Sequence, residues 1–207
     1  MRYSFGLLFV LATTALIGGC RGTVTAPGPD ITAGAYFFPF DNGLLYTYSR
    51  STNTNNVIRY DTIVCRIVVG PSYLDANALV NTGTNTPLYR IRMSRDANGN
   101  AAALMEWGDT TLYALDGPLV PTATWIADPV NGIVATVVDR YDEYYLQGRL
   151  ENFKDVIEVK YHQTGQPENV YTIRFFARNN GLILERQLAG PGTEIASLQL
   201  LGIRSPS

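Results

Sequence analysis

Few residues of this chain could do chemistry. The single histidine, His162, stands beside Gln163 at the end of an alternating stretch. A general base needs a partner to orient it, and no second imidazole exists to complete a Ser/His/Asp set or a zinc site. His162 is therefore expected to be an exposed structural residue. Of the two cysteines, Cys65 lies between Ile63 and Ile67 on one strand face, where a thiol behaves as a small buried hydrophobe. Asp139, Asp142 and Glu143 gather near Tyr141 and could bind calcium or form an acid pair, although charges at a strand end are more commonly solvated. Asp96, Asn98 and Asn100 have the spacing of the first ligands of a calcium loop. Ala101 stands where that loop turns on glycine and Trp107 where it needs an acid, so Asp96 to Asn100 is expected to be a hairpin turn. Neither a Gly-x-Ser-x-Gly elbow nor a phosphate-cradling glycine loop occurs. Catalysis is disfavoured on these grounds, and no cofactor or metal site is expected.

The other cysteine, Cys20, sits where chemistry is done to a chain rather than by it. Arg2 supplies a positive charge, Phe5 to Ile17 form an apolar run interrupted by Thr13 and Thr14, and Gly18-Gly19 are the small residues that precede a signal cleavage site. The run falls short of the ~20 residues that span a bilayer. The stretch Leu16-Ile17-Gly18-Gly19-Cys20 resembles the lipobox of bacterial lipoproteins. That resemblance implies lipidation of the Cys20 thiol and cleavage between Gly19 and Cys20. Two or three acyl chains, at ~0.8 kcal/mol per buried methylene, anchor a protein durably where one chain is marginal. Arg21 follows the cysteine in place of the Asp that retains some lipoproteins at the inner membrane, so the resemblance implies the outer membrane, on its periplasmic or its surface side.

Three segments follow: a signal peptide over 1–19, the lipidated cysteine and a flexible Gly/Pro/Thr tether over 20–34, and one domain over 35–207. With 16 Lys and Arg against 18 Asp and Glu in 207 residues, and no basic run, the chain lacks a nucleic-acid footprint. With Cys20 acylated, Cys65 has no partner for a disulfide, so packing must supply the stability.

The domain reads as strands throughout. Short strands are expected at Tyr36–Phe40 and Leu44–Arg50, a polar loop at Ser51–Asn56, and from Val57 a strand partly buried on both faces. Leu74–Val80 could be a helical turn. Tyr89 to Trp107 forms a hairpin around the Asp96 turn, Thr110–Leu115 a strand, and Pro121–Asn131 a long connection carrying Trp125. Ile133–Tyr141, Tyr144–Leu146 and Phe153–His162 follow, the last with Ile157, Val159 and Tyr161 facing one way. In the next strand Tyr171, Ile173, Phe175 and Ala177 alternate with Thr172, Arg174, Phe176 and Arg178, and the former are expected on the apolar side. Leu182–Leu188 and Ile195–Ile203 end the chain. About ten strands without a crossover helix predict an all-β antiparallel meander, a curled sheet, half-barrel or sandwich.

Tyr36–Tyr48, Trp125–Tyr161 with Gly148-Arg149-Leu150-Glu151-Asn152-Phe153, and Phe175–Leu184 with Asn180-Gly181-Leu182-Ile183 are similar to stretches of a diffuse group of bacterial envelope lipoproteins. The resemblance implies a twisted antiparallel sheet and no particular activity. The function expected is that of a lipid-anchored, non-catalytic binding or structural module, its partners the membrane and an envelope protein or apolar ligand. The runner-up is a carrier or chaperone of lipids or lipoproteins, with an acyl chain in its concave face. A carboxylate enzyme ranks third.

Overall fold

Alternating apolar residues and tight turns build a sheet of twelve antiparallel strands. The computed structural model describes residues 37–38, 43–69, 77–95, 101–146, 152–190 and 192–205. Gly19, Cys20, the tether and the Asp96 to Asn100 turn lie outside the described residues. The strands are β1 (Leu45–Thr54), β2 (Val57–Val68), β3 (Asn77–Asn81), β4 (Pro87–Arg95), β5 (Ala101–Trp107) and β6 (Thr110–Asp116). They continue as β7 (Thr124–Asp128), β8 (Ile133–Tyr145), β9 (Asn152–Gln163), β10 (Val170–Ala177), β11 (Gly181–Ala189) and β12 (Glu194–Arg204).

Each strand pairs with its neighbour in sequence, except that β6 and β7 do not, and β1 pairs with β12. The two edges of the sheet are therefore β6 and β7, consecutive in the chain, and the sheet curls into a nearly closed barrel shape. At the seam the Trp125 indole N–H on β7 donates to the Tyr113 carbonyl on β6 at 2.8 Å. Inside, the Tyr161 hydroxyl on β9 donates to the Ala114 carbonyl on β6 at 2.6 Å. Both bonds cap carbonyls of an edge strand with side-chain donors, which reduces the exposed pairing edge that such strands present.

The all-β meander expected from the sequence is present, with twelve strands instead of about ten. The two extra strands and the other differences have local causes. Ser51 to Thr54 continues β1, because its polar residues pair with Val57 to Tyr60 and the turn is made by Asn55 and Asn56, at φ 52° and 64°. Asparagine tolerates the left-handed conformation that a two-residue hairpin demands. Beyond Asn56, β2 is exposed on both faces as far as Thr62 and only then buries Ile63, Cys65 and Ile67 on one face. The helical turn considered within Leu74–Val80 is corrected to strand from Asn77, paired with β2 and β4. Thr124–Asp128, expected as connection, is strand β7 paired with β8. Ile133 to Tyr145 forms one strand, its register shifting between Val137 and Asp139.

The interior is filled by Tyr46, Tyr48, Phe38, Met105, Leu115, Ile157, Phe176, Leu182 and Leu200, all under 2% exposed or close to it. Tyr48 satisfies its hydroxyl on the Leu182 carbonyl at 2.9 Å, as a buried phenol must. Cys65 is fully buried among these residues, and burial pushes its thiol up to about 11. Cys65→Ala is expected to cost about 1 kcal/mol in chemical denaturation, in line with small core truncations. The native thiol should resist a bulky disulfide reagent until the chain unfolds; rapid labelling under native conditions would place Cys65 elsewhere.

Burial also pushes the Tyr89 hydroxyl up to about 12 and the Tyr48 and Tyr161 hydroxyls well above the ordinary tyrosine value of 10.0. A folded-state pKa above the unfolded one means that the native state holds its proton longer, so this stability is intact below pH 10 and is lost as pH rises through 12. Alkaline titration should therefore unfold the domain in that window, with the late-titrating tyrosinate absorbance and the loss of the circular-dichroism signal coinciding. Full ionisation of all tyrosines near pH 10 in a still-folded chain would contradict it.

Candidate functional site

Strand register decides which charged side chains enter the barrel. Directly opposed residues of antiparallel strands project to the same face. Thr172 opposes Tyr161, Arg174 opposes Val159 and Phe176 opposes Ile157. The side of β10 that joins the apolar face of β9 is therefore the one carrying Thr172, Arg174 and Phe176. The expectation that Tyr171, Ile173 and Phe175 share that side is corrected: Ile173 opposes Lys160 and Phe175 opposes Glu158, on the outer face. Alternation alone could not choose between the two faces of β10, since each carries large apolar residues. Both rings are buried, one on each face as strand alternation places them, and the β10–β11 register shifts between Phe175 and Phe176.

Across the inner face runs one continuous row: Val137, Val159, Arg174, Glu185, Leu198, Arg50 and Asp61, each opposed to the next. On one side of this level the interior is the apolar core; on the other it opens towards the tight turns. Arg174 and Glu185 are 7% and 3% exposed and joined by a 2.7 Å bond from Nε to Oε2. Arg50 and Asp61, further along the row, form a second ion pair that is exposed.

The guanidinium of Arg174 lies 5.0 Å from the ring centres of both Trp107 and Tyr161. Trp107 is itself stacked on Tyr89, at 5.8 Å between ring centres. A guanidinium between aromatic faces gains cation–π attraction, and more of it when desolvated. Glu185 also accepts from Gln187 Nε2 at 2.8 Å, so both of its oxygens are engaged. Arg174 Nη1, by contrast, is buried and has no acceptor. A buried donor left unpaired costs about 1–3 kcal/mol.

Above this pair lies a cavity of about 500 Å³. Trp107, Leu112, Tyr161, Arg174, Glu185 and Gln187 contribute to its inner wall, and Gln166 of the β9–β10 turn and Ile195 of β12 to its rim. Apolar and polar side chains are mixed around it, as in small-molecule sites of this size.

Of the residues singled out for chemistry in the sequence, the described ones lie elsewhere. His162 is half-buried rather than exposed, with Nδ1 3.1 Å from the Val170 carbonyl oxygen, a contact that fixes the ring at the strand end. Asp139, Asp142 and Glu143 follow one another on β8. Asp139 accepts from the Arg140 amide, Glu143 opposes Lys154, and Asp142 is exposed. The nearby Tyr141 hydroxyl donates to Glu158 at 2.6 Å. Among the described residues no three His, Cys, Asp or Glu side chains come together as a metal site would require. The sequence reading missed Arg174 and Glu185. Their available signal was the single charged residue of β10, Arg174, and the Glu185-Arg186 pair of β11, a pattern that becomes informative only once the register opposes Arg174 to Glu185.

No family model matches the chain, and no curated protein matches it. Among solved structures, it is similar to a protein from Bacteroides fragilis assigned as exported and having a YmcC-like fold. The identity is 14% and the TM-score 0.43, with 82% of this chain and 99% of that one covered. It is also similar to a Parabacteroides distasonis protein assigned as a lipoprotein, at 8% identity and TM-score 0.37, covering 82% and 98%. A LolA superfamily protein from Nitrosomonas europaea is similar at 10% identity and TM-score 0.24, covering 86% and 92%.

Proposed function

We propose that the chain is a lipid-anchored, non-catalytic binding domain of the bacterial envelope, held at the outer membrane through Cys20, which takes a small ligand at the mouth of its barrel. The observation that carries the binding function is the cavity of about 500 Å³ over a buried Arg174 whose Nη1 lacks an acceptor. A fold that leaves a buried donor unsatisfied beside an open space has room for a ligand to complete the bond. The support for a non-catalytic role is that the groups at the cavity are an engaged ion pair, amides and aromatic rings, a set suited to holding a molecule and poor in groups that move protons. The filled core below the charged row favours a mouth site over a long acyl channel.

Native mass spectrometry of the full chain isolated from its own cells tests the binding function. A non-covalent adduct small enough for the cavity, lost in the Arg174→Met/Glu185→Leu variant, is expected. A stoichiometric two-chain lipid would favour the carrier alternative, and protein without any adduct would count against both. Anchoring is tested separately. Cys20→Ser should abolish palmitate labelling and processing at Gly19 in growing cells, and unchanged labelling would sink the lipoprotein assignment.

A further inference from the structure

We propose that the ligand of the mouth cavity is uncharged, a small amphiphile that presents a carbonyl or hydroxyl oxygen to Arg174, and that the site discriminates against anions of the same shape. The proposal rests on the binding function above and specifies its chemistry. A buried arginine ordinarily points to a carboxylate or phosphate. Here the charge of Arg174 is already matched by Glu185 at 2.7 Å, and among the described lining residues these two are the only formal charges.

The inner wall is thus electrically neutral. An anion placed at Arg174 would bring a second negative charge close to Glu185, in a site with no further cation, and would lose its own hydration to do so. Glu185 cannot yield its proton-free oxygens without releasing Arg174 Nε and Gln187 Nε2. A neutral oxygen meets neither cost. It supplies the acceptor that Nη1 lacks and leaves the ion pair balanced.

The rest of the molecule is defined by the remaining wall. Leu112 and Leu188 offer apolar contact, while Gln163, Gln187 and Thr172 offer uncharged donors and acceptors. The aromatic rings at the floor are not open platforms, because Trp107 lies between Tyr89 and Arg174, and Tyr161 is buried with its hydroxyl bonded to Ala114. A flat ring or sugar stacked on those faces is therefore not the occupant; a short alkyl or acyl group with a polar head fits instead.

The test compares two water-soluble probes of nearly identical shape, hexanamide and hexanoate, by ligand-observed NMR titration of the purified full chain at neutral pH. Hexanamide should bind about tenfold or more tightly than hexanoate, a difference of about 1.4 kcal/mol or more. Because Arg174→Met alone strands Glu185 in the core, the variant to use is Arg174→Met/Glu185→Leu, which removes both charges. It should lose about tenfold in hexanamide affinity, with circular dichroism confirming the fold. Hexanoate binding as well as or better than hexanamide would overturn the uncharged class while leaving a binding site at the mouth. Equal hexanamide binding by the folded double variant would overturn the role of Arg174. Failure of both probes to bind the native chain would overturn this proposal together with the binding function on which it rests.

Discussion

Glu185→Leu is expected to lower the stability of the domain by about 3–5 kcal/mol, the range found when one partner of a buried ion pair is removed. The leucine fills much the same space, so packing is not what fails. The loss comes from Arg174, only 7% exposed, whose guanidinium keeps its charge in the core without a counter-charge and loses the acceptor of its Nε. A domain of ordinary stability has about 5–15 kcal/mol in total, so the urea midpoint should fall steeply. Replacing both members, Arg174→Met with Glu185→Leu, should recover most of the loss, because no charge then remains to be buried. If single and double variants unfold at the same midpoint, the buried charge is not the cause.

Phe176→Ala is expected to cost a similar amount, about 3–5 kcal/mol, by the different route of an unfilled cavity. The Phe176 ring is completely buried and meets Phe38 edge-on, with ring centres 5.6 Å apart and planes at 66°. Removing it forfeits both the burial and the aromatic contact, and β10 cannot collapse into the space while paired on both sides. Tyr60→Ala is the matched control. Tyr60 is 74% exposed on the outer side of β2, and its truncation should stay within about 0.5 kcal/mol. Equal costs for the two would mean that Phe176 does not face the core.

Most of the architecture was legible in the sequence because alternation and turn residues are local signals. Ile157, Val159 and Tyr161 alternate cleanly against Glu158, Lys160 and His162, and β9 follows. Where local signals were weak, neighbours decided. Thr124 to Asp128 looks like a connection by itself and becomes a strand by pairing with Thr136 to Ile133. The β10 facing is harder still, since Ile173 and Phe175 compete with Arg174 and Phe176 for the inside, and only the partner strand breaks the tie. The candidate site was illegible for the same reason. Arg174 and Glu185 are unremarkable as single residues, and their meaning lies in being opposed on adjacent strands and facing inward.

The pairing of β1 with β12 has a consequence for how the domain comes into being. Strands β1 to β6, and β7 to β12, can each zip up through hairpins between neighbours in sequence. The two halves join only when the last strand arrives, as in the contact between the Ser51 and Ser197 hydroxyls, 2.7 Å apart across 146 residues of chain. An unstructured chain would lose about 4 kcal/mol of entropy in closing a loop of that length, a cost that prior zipping of the two halves lowers. Folding should thus have its slow step at the joining of β1 to β12, after local zipping is complete. A chain emerging from its N-terminal end holds the open edge of β1 unpaired until β12 has been delivered. Loss of β12 would therefore not trim the domain but leave a six-stranded part, β1 to β6, and a five-stranded part, β7 to β11, each with raw strand edges able to pair with other chains.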